Sequence, residues 1–154
     1  MADLVVYPTE DYNSYISEDD ADNYFAGRLH AEEWDALEST GKETALLHAF
    51  RSLNELDLII QWKVNDTTGH KELADSYNAT QKSVILTFLK HAQVEEALHH
   101  VRYDVEELRL QSVDLGGGLL SASLDPTENP PRHSPTAINI LAPFLRRPTV
   151  SRYR

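Results

Sequence analysis

The chain has 154 residues, with 25 acidic side chains against 14 basic, a formal net charge of -11, 41% hydrophobic residues and no cysteine. That length suits one domain with a modest core, and the balance of apolar and charged residues is that of a soluble, folded protein. The lack of cysteine excludes disulfide stapling, thiolate metal sites and cysteine nucleophiles. The opening MADLVVYPTEDY has no basic start and no long apolar run, and nowhere does the sequence hold the ~18 consecutive apolar residues of a membrane span, so neither an export signal nor membrane insertion is expected.

Residues 1–60 carry 14 acidic and 3 basic side chains, and residues 61–131 carry 11 and 6. Residues 132–154 carry 5 arginines and no carboxylate side chain. An acidic body would repel phosphates, whereas a basic terminal segment points to contact with a partner.

In chain order, residues 1–15 read as an extended lead-in in which Tyr7, Pro8, Tyr12 and Tyr15 stand among acids. Ser17 is an N-cap candidate, Asp20 follows in a capping-box-like position, and Glu18, Asp19 and Asp20 load the first turn with the sign the helix dipole favours. Ala21, Tyr24 and Phe25 repeat at helical spacing, and Gly27 can end this helix. A short turn around Glu32 to Leu37 would tuck Trp34 and Leu37 inward. Ser39 or Thr40 then opens a helix whose Ala45, Leu46, Ala49, Phe50, Leu53 and Leu56 form a core-facing stripe.

Residues 62–77, WKVNDTTGHKELADSY, mix polar and turn-forming types and read as a long surface loop. Asn78, with Gln81 three positions on, can cap a second long helix to about Val101, with Val84, Ile85, Phe88, Leu89, Ala92 and Leu98 facing inward. Leu108, Leu110 and Val113 alternate, Gly116 to Gly118 break the chain, and Leu119 to Leu124 can form a strand, which predicts a small glycine-linked hairpin. DPTENPPRHSP, residues 125–135, reads as an extended linker, followed by an apolar segment, TAINILAPFL, helical or extended, and then RRPTVSRYR. The fold expected is mainly α: a small helical bundle over residues 1–125 with a short β-hairpin, and a proline-rich linker with an extended C-terminal arm over residues 126–154.

His91, Glu95 and His99 stand at i, i+4 and i+8 in HAQVEEALHH, and Glu96 with His99 makes a single Glu-x-x-His. Carboxylate-bridged metal bundles need a second copy on a facing helix, and the sequence has none, so a solvated polar face is the better reading. Gly116 to Gly118 stands in no phosphate-binding frame and precedes LLSASL rather than a capped helix. No serine lies in a Gly-x-Ser-x-Gly frame. We therefore expect no enzyme, no cofactor and no metal site.

The candidate site is an interface. Ile138, Leu141, Phe144 and Leu145 are apolar anchors, and Arg146, Arg147, Arg152, Tyr153 and Arg154 supply the arginine and tyrosine that enrich interface hot spots.

Tyr15-Ile16-Ser17, the Ala21-x-x-Tyr24-Phe25 helix, Trp34, and Lys42-x-x-Ala45-Leu46 leading to Ala49, Arg51 and Leu53 resemble the N-terminal signature of a family of tailed-phage and prophage proteins labelled DnaT-like putative single-stranded-DNA-binding proteins. That family overlaps in shape with the phage head-tail connector, or adaptor and head-completion, proteins. The family's Trp-Gly and Trp-Pro-Arg segments do not follow Gln61-Trp62-Lys63 here. The connector resemblance implies a small helical protomer in a ring, dodecameric in the usual arrangement, between the portal and a tail or nozzle protein. Packaged DNA would pass through the ring without specific binding, and a terminal extension would dock on the portal. It implies a place in the virion neck, reached from the host cytoplasm during assembly. The DnaT-like label implies instead a replication accessory protein that binds single-stranded DNA.

Overall fold

The computed structural model describes residues 3–103 and 131–146. The hairpin expected within Leu108 to Leu124, most of the proline-rich linker, and Arg147, Arg152, Tyr153 and Arg154 lie outside the described residues. Within them the elements run α1 (Glu18–Ala26), α2 (Glu32–Asp35), α3 (Ser39–Leu53), β1 (Trp62–Val64), β2 (Lys71–Leu73), α4 (Ala79–Tyr103) and α5 (Pro135–Leu141), with a 3-10 turn at Ala142–Phe144. Among the described residues the fold is mainly α with one two-stranded antiparallel hairpin. None of the described helices is long and apolar enough to cross a membrane.

Both capping expectations are met. Ser17 Oγ accepts the Asp20 N–H at 3.2 Å, and α1 buries Ala21 and Phe25 before Gly27 closes it. Asn78 and Gln81 cap α4 reciprocally, Gln81 N–H donating to Asn78 Oδ1 at 2.8 Å and Asn78 N–H to Gln81 Oε1 at 2.9 Å. Replacing Ser17 by alanine removes one acceptor from an exposed helix start, and a urea melt should register a loss of about 1 kcal/mol.

The lead-in is folded rather than extended. Val5 N–H donates to Asn13 Oδ1 at 2.8 Å, Asn13 N–H to Val5 O at 2.9 Å and Tyr7 N–H to Ser14 O at 2.8 Å, so residues 5–14 close on themselves. Residues 62–73 of the expected loop instead form a hairpin, in the register Trp62↔Leu73, Lys63↔Glu72, Val64↔Lys71. Its turn is built by Asn65, whose side chain accepts the Thr67 and Thr68 N–H groups, and by Gly69 at φ 74, a left-handed conformation that costs any L side chain. The Tyr7 hydroxyl accepts the Leu73 N–H at 3.1 Å and holds the hairpin against the N-terminal turn.

α4 is the central strut. Ile85, Leu89 and Ala92 on its first half pack with Tyr15, Leu53, Ile60, Leu73, Ala137 and Leu141. Val94, Ala97 and Leu98 on its second half pack with Ile16, Ala21, Phe25, Ala31, Trp34, Ala45, Leu46 and Ala49. Eight consecutive residues, Ala92 to His99, are buried, because α1, α2, α3 and α5 all pack around this helix. Val84 is 47% exposed, not inward as expected, because only one side of the first half of α4 is covered and Ile85 takes the inner position.

The apolar segment near the C-terminus is α5 and its 3-10 turn, and it lies on α4. Ser134 caps it, accepting the Ala137 N–H at 3.3 Å, and Pro135 occupies the first turn, where its missing N–H costs nothing. Residues 131–146 are thus part of the body rather than an extended arm.

Candidate docking site

The buried polar groups of α4 tie down other segments of the chain. Gln93 donates from Nε2 to Ser14 Oγ at 2.8 Å and to Leu46 O at 2.9 Å, and its Oε1 accepts the Tyr15 N–H at 2.8 Å. Glu95 accepts from the Tyr24 hydroxyl at 2.7 Å and is gripped through both oxygens by Arg28. Glu96, with no exposed surface, accepts from Ser52 Oγ at 2.7 Å and from the Ser134 N–H at 2.8 Å. His133 Nδ1 is 3.0 Å from Glu96 Oε1, and His100 Nε2 is 3.5 Å away. His99 Nε2 meets the Pro131 carbonyl at 2.7 Å. Glu96 and His99 together latch the C-terminal segment onto α4.

The face considered for metal binding is therefore divided among protein partners. His91 leans on the Tyr24 ring at 4.9 Å, Glu95 belongs to Arg28, and His99 belongs to Pro131. It is not the solvated face that its charges suggested.

Burial pushes the Glu96 carboxyl pKa up, but the nearby His100 ring at 3.5 Å and hydrogen bonds from Ser52, the Ser134 N–H and His133 outweigh it and hold it at about 2. A carboxyl lowered on folding stabilises the fold fully above its ordinary pKa and loses that contribution as pH falls through the folded value. For Glu96 the loss should span pH 4.5 to about 2 and amount to about 3 kcal/mol. Burial also lowers the His99 pKa against the pull of the Pro131 carbonyl. Its neutral form is the folded one, so its contribution is present above the ordinary histidine pKa and fades as pH falls through the lowered value. Urea melts from pH 7 down to pH 2 should show both losses, and Glu96→Gln should abolish the lower one.

The anchors expected to meet a partner are placed unevenly. Leu141 is fully buried in the chain's own core and offers a partner no surface, which corrects its assignment as an interface anchor. Ile138 is half-buried. Phe144 is half-buried against Phe88, ring centroids 5.4 Å apart, and Leu145 bridges to Leu58. Arg146 is exposed, its N–H donating to Asp57 O at 3.0 Å and its Nε lying 3.6 Å from Asp57 Oδ2. Ile59, 55% exposed, donates its N–H to Phe144 O, and Val84 stands one turn before Phe88. Phe144 and Phe88 thereby share a half-buried apolar edge, and Ile59 and Val84 are exposed apolar residues on the segments that carry it.

Beside this surface opens a groove of ≈ 570 Å³ whose walls include Tyr12, Tyr15, Phe50, Trp62 and His70, with Asp11, Asp57 and Lys71 also lining it. Tyr15 stacks on Trp62 at 6.3 Å and tilts on Phe50 at 5.0 Å, while Tyr12 meets Phe50 edge-on at 5.9 Å. Sequence reading missed this cluster, because its rings come from the N-terminal turn, α3 and the hairpin. The one available signal was the density of tyrosine before Ser17.

These features define a mainly α protein whose polar central helix clamps both ends of the described chain. No protein-family model matches the chain, and no curated protein or solved structure matches it.

Proposed function

We propose that this protein is a non-enzymatic structural adaptor, a head-tail connector in the neck of a tailed bacteriophage. It would assemble side by side into a dodecameric ring that joins the portal to the tail and continues the DNA channel. The observation that carries this reading is the destination of the residues that resemble the signature of the tailed-phage and prophage family, which overlaps in shape with the connectors. Ile16, Ala21, Phe25, Trp34, Ala45, Leu46 and Ala49 all enter one buried cluster. Signature positions that jointly make a core are those a shared fold requires, so they support a shared body plan. The acidic body supports the same reading, because a channel wall that does not bind phosphate lets DNA slide.

The portal-facing surface in this proposal is the half-buried edge of Ile138, Phe144 and Leu145 with exposed Arg146, continued by the arginine-bearing residues 147–154. Arginines there would pair with acidic groups on the portal.

A second reading, a single-stranded-DNA-binding replication accessory protein, is favoured by the aromatic groove, since bases stack on such rings. Asp11 and Asp57 in the groove lining weigh against a phosphate backbone there. Anisotropy titration of labelled single-stranded DNA with the isolated protein separates the two readings. The adaptor predicts no saturable binding at about 0.15 M salt, and tight, salt-sensitive binding would overturn it.

A further inference from the structure

We propose that the aromatic groove is the seat of the chain's own C-terminal segment, residues 147–154, in the free protein. The inference stands independently of the neck assignment, since it concerns a contact within one chain.

The path of the chain supplies the first argument. Leu58 and Leu145 bridge antiparallel, and Arg146 N–H donates to Asp57 O at 3.0 Å, so residues 145–146 run antiparallel to residues 57–58. Asn54, Leu56, Asp57 and Leu58 all line the groove. The segment therefore starts at the groove's edge. Eight extended residues reach about 27 Å, enough to cross it, and a tether this short holds the segment near its seat at millimolar effective concentration.

Chemistry supplies the second. RPTVSRYR presents three arginines, a proline and a tyrosine, with no carboxylate side chain. Half-buried Tyr12 and Trp62 are rings of the kind on which arginine and proline dock, and exposed Asp11 and Asp57, the latter already 3.6 Å from Arg146 Nε, carry the charge that guanidinium groups pair with. Lys71 is the one like charge in the lining and is outnumbered by these two. Seating the segment here covers aromatic surface and sets its charge against the acidic body. A portal or a neighbouring copy would then compete with the groove for the same residues.

The test uses the full chain with p-benzoylphenylalanine in place of Tyr153, as an equal mixture of isotopically light and heavy protein, irradiated and mapped by mass spectrometry. The proposal predicts cross-links from position 153 to residues 11–15 or 62–71, joining light to light and heavy to heavy only. Introducing D11K with D57K, both exposed positions, should lower the yield at least about fivefold, as should raising salt to about 0.5 M. Light-to-heavy cross-links would show a second copy's segment in the groove and overturn the proposal. Cross-links elsewhere, no cross-links, or a yield unchanged in the double variant would overturn it too.

Discussion

Replacing Glu96 by alanine is expected to destabilise the protein by about 3–5 kcal/mol, the cost of breaking a buried charge cluster by removing its central member. The magnitude follows from what is left behind. Ser52 Oγ loses its acceptor, the buried Ser134 N–H loses the oxygen at 2.8 Å, and His133 and His100 lose the charge they face. Because Ser134 is also the cap of α5, the loss spreads to the C-terminal segment. Glu96→Gln keeps the shape and one acceptor oxygen, so it should recover part of the loss. Urea melts measure both variants, and limited trypsin digestion should cut at Arg132 and Arg146 faster in Glu96→Ala than in the parent.

Leu141→Ala is expected to cost about 2–5 kcal/mol, since it removes a fully buried leucine that sits between α5 and the first half of α4. The size of this effect decides what the segment is. An anchor waiting for a partner would be exposed in the free protein, and its truncation would leave the melting temperature unchanged. A core residue lowers it. Ile138→Ala, at a half-buried position, should cost clearly less and should instead weaken attachment to the partner.

What was legible in the sequence was local. The caps at Ser17 and Asn78 announce themselves because side chain and backbone partner are three residues apart. The stripe Ala45, Leu46, Ala49 and Leu53 is likewise fixed by helical period alone. The hairpin was not legible because strands of three residues are too short to establish an alternation, and its turn residues dominate the composition. The buried polar run of α4 misled for a related reason. Glu95 and Glu96 look solvated until their partners, Arg28 and Ser134, arrive from 67 and 38 positions away. The C-terminal anchors show the same limit, since apolar residues at helical spacing look identical whether they cover the chain's own core or another protein. Leu141 does the first, while Phe144 keeps enough surface for the second.

Electron microscopy of assembled phage particles carrying this protein tests the central proposal most directly. The adaptor reading predicts a ring of this fold between portal and tail, α4 of each protomer packed within its own body and the C-terminal basic residues against the portal or a neighbouring copy. A neck without the protein, or the protein found instead on single-stranded DNA in infected cells, would contradict it.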